Sequence, residues 1–151
     1  MSLLEVKNLR IEYPSRHGVH AAVKSLSFHI ERGEIVGVVG ESGSGKTTLG
    51  LALLRLISSD GPIVWLGSSI DSYSSKLMRP LRRDMQIVFQ DPFASLNPRM
   101  RVADILEEGV KALVPDLSLD DRRRQIAEWV ERVGLRPDAL DRYPHEFSGG
   151  Q

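Results

Sequence analysis

The chain has 151 residues, of which 41% are hydrophobic and 26% are charged, a composition typical of one ordinary globular domain with its own core. Twenty basic and twenty acidic residues cancel, which excludes a bulk electrostatic attraction to nucleic acid or to an anionic membrane. There is no cysteine, so disulfides and thiolate metal sites are excluded, and no apolar stretch approaches the about 18–20 residues of a transmembrane helix. We therefore expect a cytosolic domain.

The first third of the chain is predicted to contain strands and one helix. Apolar and polar residues alternate over 3–13, with one slip, and over 21–30, which predicts two half-buried strands. The run over 35–39 is continuously apolar, as in a parallel strand that is covered on both faces. Residues 47–57 are apolar nearly all round and predict a buried helix.

The remainder of the chain changes from mixed structure to helix. In order, we predict a short strand at 63–67, a helical segment at 75–84 interrupted at Pro80, a covered strand at 85–89, and helices at 102–113 and 118–135. Ser118 is expected to cap the last helix, and Gly134 to end it. Ile126, Trp129, Val130 and Val133 are expected to form its core-facing stripe.

The segment GESGSGKTT, residues 40–48, fits the phosphate-binding pattern Gly-x-x-x-x-Gly-Lys-Thr. Glycines allow a turn in which successive N–H groups point at one anion, and the start of the following helix adds its positive end. A strand before the segment and a helix after it are the context that this pattern requires, which argues against a coincidental turn. The predicted ATP-binding residues of this segment, called the phosphate loop below, are Gly40, Glu41, Ser42, Gly43, Ser44, Gly45, Lys46, Thr47 and Thr48.

Two residues of the phosphate loop are predicted to act on the reacting phosphates. Lys46 would reach the β- and γ-phosphates of ATP and serve catalysis there. The hydroxyl of Thr47 would bind Mg²⁺.

Two further segments, VFQDPFASLNPRM and YPHEFSGGQ, together with GESGSGKTT, resemble the nucleotide-binding domain of ATP-binding cassette (ABC) transporters, most closely the peptide/nickel importer branch. The resemblance covers the whole chain in order. It implies an α/β fold: an ABC-type ATPase core with an N-terminal antiparallel β-subdomain, a helical subdomain and an incomplete parallel sheet. It also implies a division into residues 1–90, the β-subdomain with the nucleotide-binding core, and residues 91–151, the glutamine loop with the helical subdomain.

The resemblance assigns roles outside the phosphate loop. Tyr13 matches the aromatic residue that stacks on adenine, and Gln90 matches the catalytic glutamine that contacts Mg²⁺ and the attacking water. The signature segment, which binds the γ-phosphate of ATP held by a second cassette in a head-to-tail dimer, corresponds to Ser148, Gly149, Gly150 and Gln151. Phe147 replaces the commoner leucine before it.

The family also uses an apolar strand ending in Asp-Glu (Walker B) and a switch histidine, and both would follow Gln151. We therefore expect the chain to be the N-terminal part of a longer protein, to be inactive in hydrolysis by itself, and to have a frayed signature segment. His17, His20, His29 and His145 lack metal-like spacing and are expected to be surface or satisfied histidines.

By resemblance, the full protein is an ATP-hydrolysing subunit of an importer for peptides or similar small solutes, peripheral at the cytoplasmic face of the inner membrane. Residues 93–100 would contact integral membrane permease subunits, and no nucleic acid partner is expected. One alternative is a soluble ABC ATPase that acts on nucleic acid or ribosomes. Another is a small kinase in which Asp91 binds Mg²⁺. A third is a regulatory binding fragment without catalysis.

Overall fold

The computed structural model describes residues 2–15, 18–91, 93–148 and 150–151, and the chain forms two compact units, Met1–Leu81 and Arg82–Gln151. The functional boundary predicted from the sequence lies later, after residue 90. The first unit contains strands β1 (Ser2–Ser15), β2 (Gly18–Glu31), β3 (Ile63–Trp65) and β4 (Ser68–Ser69), and helices α1 (Lys46–Leu53) and α2 (Ser75–Met78). A 3₁₀ helix (Pro80–Arg83) spans the boundary between the units. The second unit contains helices α3 (Val102–Leu113) and α4 (Leu119–Arg132) and 3₁₀ helices at Pro137–Asp141 and Pro144–Glu146.

A four-stranded antiparallel sheet in the order β2-β1-β3-β4 organises the first unit. The inward residues of β1 are Leu4 and Val6, then Leu9 and Ile11, all buried. The slip in alternation between Val6 and Leu9 coincides with a register shift against β2 and with a left-handed Asn8 (φ 48°). A β-bulge adds one residue to β1 at this point, and one extra residue turns the following side chains to the other face of the strand. Leu9 and Ile11 therefore point inward, as Leu4 and Val6 do.

Helix α1 is shorter than predicted because a Schellman turn ends it. The N–H of Arg55 donates to Ala52 O (2.9 Å) and that of Leu56 donates to Leu51 O (2.9 Å), with Arg55 left-handed at φ 54°. Only Leu49 and Ala52 of α1 are buried, so the prediction of a helix buried on all sides is wrong.

The two segments predicted as covered parallel strands, 35–39 and 85–89, belong to no strand ladder among the described residues. Ile35 is 97% exposed and Val88 is 92% exposed, so the expected burial is absent. A parallel strand needs hydrogen-bonding neighbours and a helix on each face, and the described part of the chain supplies no neighbouring strand to either segment.

In the second unit, α3 has the predicted bounds and packs on α4, with Val110, Ile126 and Val130 buried. Arg122 supports this pair of helices, since its guanidinium donates to Leu117 O (2.9 Å) and approaches Glu107 at 3.8 Å. Ser118 caps α4 by accepting the N–H of Asp121 at 3.1 Å, and a left-handed Gly134 (φ 80°) follows the helix.

The core-facing stripe of α4 is narrower than predicted. Ile126 and Val130 are one helical turn apart and buried, whereas Trp129 and Val133 are exposed, the latter by 73%. No helix among the described ranges has both the length and the apolar character needed to cross a membrane.

Candidate functional site

Lys46, the first residue of α1, is folded back over the phosphate loop. Its ammonium group donates to Gly40 O (2.8 Å) and Glu41 O (2.7 Å), and lies 3.4 Å from the hydroxyl oxygen of Ser44. The loop itself is closed by Ser44 N–H donating to Glu41 O at 3.2 Å. The charge of Lys46 is therefore held against the loop, bonded to oxygens that an anionic oxygen could replace.

Gly45, the residue of the phosphate loop directly before α1, has a conformation that only glycine adopts readily. Its φ is +91°, and a Cβ atom there would lie 2.5 Å from the carbonyl oxygen of Ala22 on β2. The loop thus packs directly against the β2 backbone. The motif requires a glycine at position 45 for the turn, and the close approach to Ala22 requires it as well.

The first backbone N–H groups of α1 are available to donate hydrogen bonds to a ligand. Among the described residues no side chain caps the helix, and the first intrahelical bond is Leu49 N–H to Gly45 O at 2.8 Å. The preceding amides of a helix have no intrahelical partner and carry the positive end of its dipole. This helix start can therefore bind an anion together with Lys46.

A groove of about 270 Å³ joins the end of the β1–β2 hairpin to the phosphate loop. Tyr13, His20 and Ala22 line it from the hairpin, and the loop contributes residues 43–48. Tyr13 is 39% exposed, so part of its ring is open to a ligand. The structure places Tyr13 beside the loop although 26 residues lie between Tyr13 and the first residue of the loop in the sequence. Its contact with adenine stays a prediction.

His20 is a groove residue that the sequence analysis did not select. It lies directly opposite Tyr13 in the β1–β2 register and is exposed. The hairpin register could have identified it, because cross-strand partners share a face, but the bulges in β1 hide that register from the sequence.

Gln90 belongs to the second unit, where it is exposed at a bend after residues 85–89. The next residue, Asp91, uses one carboxylate oxygen to accept the N–H groups of Phe93 (3.0 Å) and Ala94 (3.2 Å). This Asx turn gives Asp91 a structural role in shaping the loop. The contact of Gln90 with Mg²⁺ or water stays a prediction.

Ser148 and Gln151, at the two ends of the signature segment, are hydrogen-bonded to each other. The amide and hydroxyl of Ser148 donate to Gln151 Oε1 at 3.0 and 3.1 Å, and the Gln151 N–H donates to Ser148 O at 2.9 Å. Gly149 lies outside the described residues, and Gly150 is in the turn. These bonds between Ser148 and Gln151 are local, and the fraying of the segment stays a prediction.

An apolar cleft of about 210 Å³ lies within the second unit. It is lined by Phe93, Leu96, Val102, Leu135, Pro144 and Phe147, with Ser148 and Gln151 at its edge. Residues 93–100, predicted as a docking surface, form turns and contribute two side chains to this cleft.

A family model described as ABC transporter matches residues 23–151 of this chain. The peptidoglycan transport ATP-binding protein YejF of Agrobacterium fabrum is 57% identical over 130 residues, which is 86% of this chain and 24% of that protein. The oligopeptide transport ATP-binding protein OppF of Bacillus subtilis is 44% identical over 151 residues, 99% of this chain and 50% of that protein. A solved dimeric ATP-binding cassette, MJ0796 in a post-hydrolysis state with ADP and Pi, has a TM-score of 0.84 at 26% identity, covering 98% of this chain and 64% of its own.

The likeness to that cassette confirms the predicted α/β fold class, although 35–39 and 85–89 are not paired as strands. The chain spans a quarter to a half of the length of these two curated relatives (24% and 50%). Because the family match runs through Asp91 to the end of the chain, the kinase-like alternative is not favoured.

Proposed function

Because this chain belongs to the ABC transporter family, we propose that it is the ATP-binding part of a subunit that hydrolyses ATP to drive import of peptides or similar small solutes. Relatives named for peptidoglycan and oligopeptide transport support the solute class. The chain spans only part of those relatives, so hydrolysis and transport are proposed for the whole protein. The observation that carries ATP binding is the groove in which Tyr13 faces the phosphate loop and Lys46.

The phosphate loop provides groups that suit a triphosphate. Lys46 now donates to the carbonyl oxygens of Gly40 and Glu41, and a phosphate oxygen would offer the same acceptor with a full negative charge. Exchange of these partners is therefore favourable. The amides of the loop and of the start of α1 would bind the remaining phosphate oxygens, and Tyr13 would stack on the adenine.

Mg²⁺ fits the oxygen donors that the chain offers. Thr47, which lines the groove, is one proposed ligand through its hydroxyl, and the side-chain carbonyl of Gln90 is the other. Bound Mg²⁺ would supply positive charge against the β- and γ-phosphates. Thr47 would hold the metal beside Lys46, and Gln90 would orient the attacking water.

A second cassette is proposed as a partner, in head-to-tail arrangement. Ser148, Gly149, Gly150 and Gln151 would contact the γ-phosphate of ATP bound to that cassette. The solved cassette that this chain resembles is a dimer with ADP and Pi, which supports the arrangement. The Ser148 amide and hydroxyl are now turned to Gln151, so binding would require them to change partner.

Integral membrane permease subunits are proposed to dock on residues 93–100 and the apolar cleft beside them. An apolar surface of this kind is typical of a protein interface. Such docking would place the protein at the cytoplasmic face of the inner membrane. No nucleic acid partner is proposed, since basic and acidic residues are equal in number.

Calorimetry of the 151-residue chain with MgATP tests the proposal. We expect Lys46→Ala to weaken binding by about 10- to 100-fold, because a hydrogen bond to a charged group contributes about 1.5–3 kcal/mol. Lys111→Ala, which changes an exposed lysine of α3, is the matched control and should bind like the original chain. Absence of heat with every magnesium nucleoside triphosphate at millimolar concentration would refute ATP binding.

A further inference from the structure

The position of His20 is set by two features of the backbone. In the β1–β2 ladder it lies directly across from Tyr13, and such partners project from the same face of the sheet. Two residues later, Ala22 O is the oxygen that a Cβ on Gly45 would meet at 2.5 Å. The strand that carries His20 therefore contacts both the strand of Tyr13 and the phosphate loop.

The polar side chains of the groove divide into two groups. Ser44, Lys46, Thr47 and Thr48 belong to the phosphate loop and are suited to phosphate and Mg²⁺. Outside the loop, the described lining residues offer two polar side chains, Tyr13 and His20. If the ring face of Tyr13 takes the base, His20 is the remaining side chain for the part of the ligand between base and phosphates, which is the sugar.

We propose that His20 binds the ribose hydroxyls of the nucleotide and makes the site prefer ribonucleotides over deoxyribonucleotides. This inference rests on the proposed ATP binding and adds a specificity residue to that site. A neutral imidazole has one N–H donor and one nitrogen acceptor, which complements a hydroxyl that can accept and donate. His20 is exposed in the open groove, so its ring edge is accessible to a ligand.

The test compares MgATP with its 2′-deoxy analogue in calorimetry, on the original 151-residue chain and on His20→Ala. The original chain should bind MgATP about three- to tenfold more tightly than the deoxy analogue, the effect of one neutral hydrogen bond. His20→Ala should lose that factor for MgATP and bind the deoxy analogue unchanged. His20→Gln, which keeps a donor and an acceptor, should restore part of the preference.

His29→Ala is the matched control, since His29 is an exposed histidine on the same strand that pairs with Glu5 and lines a different groove. It should leave both affinities unchanged. If His20→Ala weakened the binding of both nucleotides equally, or of neither, the inference would be overturned. The proposed function would still be upheld in that case, provided that the original chain bound MgATP. Failure of the original chain to bind MgATP would overturn both.

Discussion

At the scale of single residues, the candidate site depends on backbone positions as much as on reactive side chains. Gly45 is left-handed and lies against Ala22 O, so it fixes the distance between the phosphate loop and β2. Lys46 follows it immediately and places its ammonium over Gly40 O and Glu41 O. The motif predicted both residues, but the contact with β2 is long-range and could not be deduced from it.

Replacing Gly45 with alanine should destabilise the chain by about 2 kcal/mol or more, because left-handed backbone is costly for other residues and the Cβ would meet a backbone oxygen. MgATP affinity should fall with it, since the loop must move. Urea unfolding followed by circular dichroism, together with calorimetry, measures the two effects.

Gly50→Ala provides the comparison, because Gly50 lies inside α1 and a Cβ there would meet nothing within 4 Å. Its expected effect is a gain of about 0.5–1 kcal/mol, the helix preference for alanine over glycine. If Gly45→Ala proved as well tolerated as Gly50→Ala, the close packing of the loop on β2 would be wrong.

At the scale of elements, local signals located the helices of the second unit well. The bounds of α3 agree with the prediction, and Ser118 caps α4 as its side chain and the following acidic residues indicated. The hydroxyl of Ser118 accepts the N–H of Asp121 at 3.1 Å and donates to the carboxylate of Asp121 at 2.6 Å. Both bonds lie within one turn, which is why a sequence pattern suffices.

Ser118→Ala should cost about 1 kcal/mol of stability, the usual contribution of a helix N-cap. Ser118→Asn should recover most of it, because asparagine also accepts the amide of the first turn. Urea unfolding of the three proteins, monitored by circular dichroism, gives the differences. An unchanged stability of Ser118→Ala would show that the cap does not stabilise α4.

At the scale of the whole molecule, two apolar segments lack strand partners among the described residues. Ile35 and Val39 in the first unit and Val88 in the second are more than nine-tenths exposed. Their sequences are typical of parallel strands that are buried on both faces, but such burial requires neighbouring strands and helices. Exposed apolar segments with free backbone groups promote association.

We expect the 151-residue chain to self-associate as its concentration rises, and the double variant Ile35→Lys with Val88→Lys to remain largely monomeric. Charge on an unpaired edge opposes strand addition. Sedimentation velocity measures the monomer fraction. Val19→Lys changes an exposed valine already paired in β2 and should associate as the original chain does. An original chain that stayed monomeric at all concentrations would contradict this prediction.

The amino-acid sequence by itself determined the features that depend on neighbouring residues: the phosphate loop, the hairpin strands, α3, and the cap and end of α4. Backbone turning, capping and alternation are decided within a few residues, so a pattern reveals them. Only the tertiary structure decided that residues 35–39 and 85–89 have no strand partner within the described ranges, that Trp129 is outside the core, and that His20 joins Tyr13 at the loop. Each of these depends on which distant residues supply a contact, and that information is spread over the whole fold.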